Sequence, residues 1–325
     1  MTSDAQPLVA GIELGGTKCV CVLAAGPETI VAEAQVPTTT PVETLGAIER
    51  ILDRWRDEHG FAALGIACFG PLELRRDAAD YGFLTATPKP GWAHTEVSPR
   101  LQRRYGVPTA IDTDVTGAAF AEARWGDAQG LSSFAYITVG TGVGAGIIVD
   151  GKAVMGIGHA EAGHMLVRRL PGDDWAGACP FHGDCVEGLA AGSAVEKRLG
   201  IKGAAVADDD PVWETVAHAI AGLCHNLVMG SVPERILIGG GLPTKRPQLL
   251  PMVRRMLVES LAGYGVAPAI VGQIDLYVGA PGLGDRAGPL GAIALGIDAL
   301  AKDAVGEQNV RAPAQAGAQG RKRGA

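Results

Sequence analysis

Two stretches of this chain share one pattern. Leu8–Leu14 is apolar but for Glu13, Gly15-Gly16-Thr17 forms a tip, and Cys19–Leu23 is apolar again. Tyr136–Val139 leads into Gly140-Thr141-Gly142-Val143-Gly144-Ala145-Gly146, and Ile147–Val149 leads out to an Asp150-Gly151 turn. Each stretch predicts a β-hairpin with a tip of small residues. One offset of 125 residues lays Gly15 on Gly140 and Gly26 on Gly151. A strand-turn-strand unit written twice predicts two related domains facing each other. Small residues at both tips leave backbone N–H groups free to approach an anion, which makes two phosphate-gripping turns the functional reading. Tight hairpins without a ligand are the alternative.

Better-known nucleotide motifs fail on detail. Gly11 and Gly16 have P-loop separation, but Thr17-Lys18 inverts the Lys-Ser/Thr order that motif needs. Gly140, Gly142 and Ala145 satisfy a loose GxGxxA fingerprint, yet a β-branched run follows Gly146 where a dinucleotide-binding helix would have to start. Between the hairpins, Leu45, Ile48, Ile51, Leu52 and Trp55 give Pro41–Gly60 helical spacing, and Leu64–Phe69 reads as a buried strand. Residues 72–98 lack periodicity and contain TPKPGW (87–92), a rigid loop suited to wall a small-molecule pocket. The strand Val107–Ile111 runs into Asp112-Thr113-Asp114 and a helix through Trp125. Carboxylates at the end of a strand and the start of a helix stand where α/β folds place chemistry, though Asp114 would serve equally as a helix cap. Downstream, 187–200, 211–230, 249–264 and 289–300 read as helices and 235–238 and 274–278 as strands. Gly239-Gly240-Gly241 leaves no side chain in the way of a flat ligand, and disorder is expected from Lys302 on.

Gly158–Gly192 carries a different chemistry. Cys179, His182 and Cys185 form CxxHxxC, and His164 lies fifteen residues upstream of Cys179. Two thiolates and two imidazoles in one loop are a tetrahedral zinc set; with all four positions filled by protein, the zinc would be structural. His159 and His164 flank Glu161 at a spacing that is not HExxH, which also argues against a catalytic metal. Glu161 and Glu187 sit beside the ligands without being needed by them, so a polar molecule is expected next to the metal.

At 325 residues, two domains are the better prior. A net charge of −7, with Arg321-Lys322-Arg323 as the only basic run, argues against a nucleic-acid surface. No leader-like start and no apolar run of membrane-spanning length are visible, so no membrane partner and a cytoplasmic location are expected. Cys19, Cys21, Cys68 and Cys224 lie in apolar segments and read as packing residues.

Together, GIELGGTK, ITVGTGVGAG, EAGH and CPFHGDCVEGLAAG make the chain from about Val9 to Ala299 resemble a ROK-family sugar kinase. TPKPGW and CPxHGDC resemble the bacterial zinc-containing fructokinases most closely. The resemblance implies an α/β, two-domain actin/Hsp70/sugar-kinase-like (ribonuclease H-like) fold with an inserted zinc-binding loop. Residues 1–117 would form the first domain and 118–301 the second, with the last helix packing back on the first domain and 302–325 as a tail. It implies ATP-dependent phosphorylation of a hexose, D-fructose to D-fructose 6-phosphate, with Asp114 as catalytic base. Thr113, Asp114, Glu161, His164 and Glu187 would contact sugar. Glu13, Gly15, Gly16, Thr17, Lys18, Gly140, Thr141, Gly142, Gly240 and Gly241 would hold ATP, with Mg²⁺ near Glu13. His164, Cys179, His182 and Cys185 would bind Zn²⁺, and the chain would be a homodimer. Glu13 stands where many members have Asp, and Thr113 where glucokinases have Asn, which disfavours glucose. A glucokinase, a mannokinase or a broad hexokinase is the alternative. A sugar-responsive regulator of the same family is a further one, against which stand the acidic balance and the seven residues before the first strand, too few for a helix-turn-helix.

Overall fold

The computed structural model describes residues 6–311. It holds two five-stranded sheets of one topology. In the first, β1 (Val9–Leu14), β2 (Lys18–Gly26) and β3 (Thr29–Pro37) run antiparallel, and β1 also pairs in parallel with β4 (Ala63–Cys68), which pairs in parallel with β5 (Thr109–Thr113). In the second, β6 (Phe134–Val139), β7 (Val143–Val149) and β8 (Lys152–Ala153) repeat the antiparallel run, while β9 (Arg235–Gly239) and β10 (Val278–Gly279) repeat the parallel one. The strand orders β3-β2-β1-β4-β5 and β8-β7-β6-β9-β10 superpose the duplication seen in the hairpins onto whole sheets. This is the duplicated α/β architecture of the actin and sugar-kinase fold.

Period-two alternation decides which face of β1 meets what. Ala10, Ile12 and Leu14 pack with Leu45, Ile48, Leu52 and Trp55 of α1 (Pro41–Glu58), whose start is capped by the Thr40 hydroxyl accepting from the Glu43 N–H at 3.3 Å. Val9, Gly11 and Glu13 face the other way, toward the long helix at the chain's end, α11 once the intervening helices are counted. Those are α2 (Ser98–Tyr105), α3 (Asp114–Trp125), α4 (Val186–Ala190), α5 (Gly192–Leu199), α6 (Val212–Gly230), α7 (Gly241–Lys245), α8 (Leu249–Leu261), α9 (Ala267–Val271), α10 (Ile274–Tyr277) and α11 (Ala287–Arg311). The contact of α11 with β4 is so close that a Cβ on Gly65 would overlap the Ala292 carbonyl. α11 thus packs on β1, β2, β4 and β5 and on α3. The second sheet is covered on one face by α6 and α8 and on the other by α3, whose Ala118 and Ala119 meet Phe134, Tyr136 and Ile148.

Four readings of the sequence change. β3 was not anticipated. The strand expected at 274–278 is instead α10 followed by the two-residue β10, because β10 pairs Val278 with Ile236 and its partner β9 begins only at Arg235; arginines hold the carbonyls of the segment. Arg235 Nε donates to Leu276 O at 2.9 Å, and Arg254 donates to Asp275 O at 2.9 Å and Val278 O at 2.8 Å. The helix expected over 187–200 breaks at Ala191, since the Gly192 N–H is drawn to Gly140 O at 2.7 Å. The tail expected from 302 is helical through Arg311, and residues 312–325 lie outside the described residues. No helix among the described residues is long and apolar enough to cross a membrane.

Candidate active site

A cleft of about 690 Å³ is lined by residues of both sheets, Glu13, Lys18 and Tyr136 among them, and by Asp114 at the start of α3 and Gly240 and Gly241 at the start of α7. Gly240 has φ +93°, and a Cβ there would stand 2.6 Å from both Val139 N and O, so the bare backbone that faces the cleft is required by packing as well.

Asp114 owes its freedom to its neighbour. The Thr113 hydroxyl accepts from the Thr116 N–H at 3.2 Å and shares a 2.8 Å bond with the Thr116 hydroxyl, so Thr113 is the N-cap of α3 and Asp114 is the first helical residue. Asp114 Oδ1 accepts from the Val115 N–H at 2.9 Å. The cap is filled, and the carboxylate points to the cleft. Thr113 is 5 % exposed with its hydroxyl engaged, and so acts on Asp114's position rather than presenting that hydroxyl to a ligand. Burial raises the Asp114 pKa, opposed by the Val115 N–H and by His159. Glu13 is pushed up to about 7, by burial first and the Asp114 charge second, with Lys18 opposing.

The two turns do not line that cleft themselves; Glu13 and Lys18 flank the first and Thr138 precedes the second. In the first turn Gly15 O accepts from the Thr38 hydroxyl at 2.7 Å and Thr17 O from the Thr38 N–H at 3.0 Å. In the second, Gly140 N donates to Gly142 O at 2.9 Å, and the start of α5 clamps it through Gly192 N to Gly140 O and the Ser193 hydroxyl to Thr141 O, both 2.7 Å. The N–H groups of Gly16, Thr17 and Thr141 find no acceptor among the described residues, which leaves donors for an anion at both tips.

The metal set assembles as its spacing predicts. Ligand atoms of His164, Cys179, His182 and Cys185 all lie within 4.8 Å of one another. Cys179 Sγ is 3.7 Å from Nδ1 of both His164 and His182, and Cys185 Sγ is 3.5 Å from His164 Nδ1. Bonds of about 2.3 Å to sulfur and 2.0 Å to nitrogen give a tetrahedral S···N edge of about 3.5 Å, so donor identity and spacing both fit zinc. Cys185 also caps α4, its Sγ accepting from the Gly188 N–H at 3.4 Å. Two residues on, Glu187 links three parts: Oε1 is 4.0 Å from His164 Nε2 and Oε2 accepts from the Val143 N–H at 3.0 Å, at the foot of the second turn. One carboxylate oxygen is therefore committed to the turn. Glu161 has its pKa raised by burial and feels the charges of His164, Glu187 and Asp114, which places the metal loop and the cleft carboxylate within electrostatic reach.

Sequence reasoning noted His159 only as a misfit to HExxH. Its Nε2 accepts from the Leu72 N–H at 3.0 Å, and Nδ1 faces Ala160 O at 3.3 Å and Glu161 Oε1 at 3.5 Å. It ties the 72–98 segment to the metal loop across 87 residues of sequence, a partner no local pattern reveals. Lys245 and Arg286, which also line the cleft, were likewise not singled out.

The sequence profile of the ROK family matches residues 9–299. A protein named fructokinase from Pediococcus pentosaceus is 40% identical over 293 residues, covering 90% of this chain and 99% of its own. Another fructokinase, from Zymomonas mobilis, is 41% identical over 295 residues, covering 89% and 96%. The crystal structure of a ROK family glucokinase from Streptomyces griseus, in complex with glucose and AMPPNP, superposes with a TM-score of 0.72 at 25% identity, covering 90% of this chain and 99% of that one.

Proposed function

This chain belongs to the ROK family, and we propose on that premise that it is an ATP-dependent hexose kinase that makes D-fructose 6-phosphate from D-fructose. The observation that carries the reading is the uncapped Asp114 carboxylate, set at the start of α3 in a cleft shared with Glu13 and Lys18. Fructose is favoured by the 40–41% identity to the two fructokinases against 25% to the glucokinase.

Phosphoryl transfer asks for positioning and charge neutralisation more than for covalent chemistry. The free N–H groups of Gly16, Thr17 and Thr141 would receive phosphate oxygens, with Gly240 and Gly241 flanking the nucleoside. Glu13 would hold the Mg²⁺ that neutralises triphosphate charge, and its protonation near neutral pH is the competing state. Asp114 would take the proton of the sugar 6-hydroxyl as the bond from phosphorus to that oxygen forms and the bond to ADP breaks. Glu161, the free Nε2 edge of His164 and the remaining oxygen of Glu187 would bind sugar hydroxyls. His164, Cys179, His182 and Cys185 would hold Zn²⁺, which supplies a structural crosslink.

A hexose panel in a coupled ADP-release assay tests the substrate. Fructose is expected to give the highest kcat/KM, above glucose, mannose and N-acetylhexosamines. A preference for glucose by about tenfold or more would overturn the sugar assignment and leave the kinase reading standing.

A further inference from the structure

We propose that Lys89 is a further catalytic residue, an ammonium fixed on the first turn that stabilises the phosphoryl group as it passes from ATP to the sugar; this rests on the kinase reading above. The segment after β4 has little regular structure, yet around Lys89 it is pinned. Trp92 is fully buried, its indole N–H donates to Thr39 O at 2.8 Å, and Phe69 packs edge-on to it with ring centroids 5.3 Å apart. Lys89 O accepts from the Trp92 N–H at 3.2 Å, and the Lys89 N–H donates to the Thr87 hydroxyl at 3.4 Å. From this base Nζ reaches 73 residues back along the sequence and donates to Gly16 O at 2.6 Å.

That bond completes a set. Thr38 already engages the carbonyls of Gly15 and Thr17, so Lys89 brings all three tip carbonyls into hydrogen bonds with the protein. In a trans peptide the N–H points opposite to the C=O, so the Gly16 and Thr17 N–H groups are held facing away from these partners. The same lysine therefore helps fix the direction of the Thr17 N–H and adds a full positive charge to the turn.

The charge has no carboxylate partner among the described residues. Among the described residues Lys89 makes no salt bridge, and its only other interaction is with the Phe69 ring, 6.0 Å from Nζ. An ammonium carries three N–H donors, and Gly16 O uses one. Two remain for the oxygens of a transferring phosphoryl group, whose charge a preorganised cation stabilises at no cost in reorganisation. Lys89 stays protonated throughout: the bond from phosphorus to the ADP oxygen breaks, the bond to the sugar 6-oxygen forms, and the 6-hydroxyl proton goes to Asp114.

Lys89→Gln and Lys89→Met separate charge from strut, because glutamine keeps a donor for Gly16 O and methionine keeps neither. Both are expected to lower kcat for fructose by about 10²- to 10³-fold, with the fructose KM within about threefold of wild type. Lys89→Arg is expected to keep more activity than either. A Lys89→Gln enzyme within about threefold of the wild-type kcat would overturn the proposal, as would failure of both neutral variants to fold, which would make Lys89 a structural strut. A wild-type enzyme that phosphorylates no hexose would overturn the kinase reading itself, an outcome distinct from a change seen only in the variants.

Discussion

Asp114→Asn lowers kcat by about 10²- to 10⁴-fold while the KM for ATP stays within about threefold. Asparagine keeps the size and an acceptor for the Val115 N–H but cannot take the sugar proton. Thr113 supplies the cap of α3, so the fold is spared. Stability moves the other way. A carboxylate whose folded pKa is raised binds its proton more tightly folded than unfolded, so its ionised form subtracts from stability above the unfolded pKa. Removing that charge leaves the melting temperature unchanged or higher. The same shift sets the wild-type pH profile: activity falls as pH drops through a range above that of ordinary carboxylates, because protonated Asp114 is no base. Glu13, pushed up to about 7, titrates beside it, and His159 and Glu161 complete the charged surroundings. A loss of only about twofold in kcat, with the acidic limb intact, would reduce Asp114 to a structural residue.

Chelation of the metal, or Cys185→Ser, is expected to raise the KM for fructose by about tenfold or more and to lower the melting temperature by roughly 6–12 °C, as losing about 3 kcal/mol would do. Serine keeps a side-chain acceptor at the α4 cap but is a poor zinc ligand, so the variant isolates coordination from capping. Resemblance alone assigns Glu187 to the sugar and predicts that the ATP side is spared. The structure adds a cost there, because Glu187 also holds the Val143 N–H and α5 clamps Gly140 and Thr141. The KM for ATP should therefore rise too, by a smaller factor, since pairing of β6 with β7 still shapes that turn. Both KM values measured on one preparation of known zinc content check this. Full zinc content in a His164→Ala variant, or equal weakening of both substrates, would break the link between metal and sugar.

What the sequence disclosed follows from how local each determinant is. The duplicated hairpins and the Cys179-His182-Cys185 cluster are carried by residues close in sequence, and both assemble as their spacing predicts. β3 escaped because its burial pattern has no fully buried face to write an apolar alternation. The segment Ile274–Val278 is too short for periodicity to tell strand from helix, and where its distant partner strand β9 begins limits how much of it can pair. Asp114 was ambiguous because Thr113 and Asp114 both suit a cap, and only the geometry of the Thr116 N–H distinguishes them. His159 and Lys89 depend on partners 87 and 73 residues away, which composition and spacing do not encode.

The most direct test of the central claim is phosphorus NMR of the wild-type enzyme with Mg²⁺, ATP and D-fructose. The expected spectrum shows ADP and D-fructose 6-phosphate growing in equal amounts as the ATP signals decline. ADP with inorganic phosphate alone, or no change in the ATP signals, would contradict the claim that this cleft carries phosphoryl groups to the 6-hydroxyl of fructose.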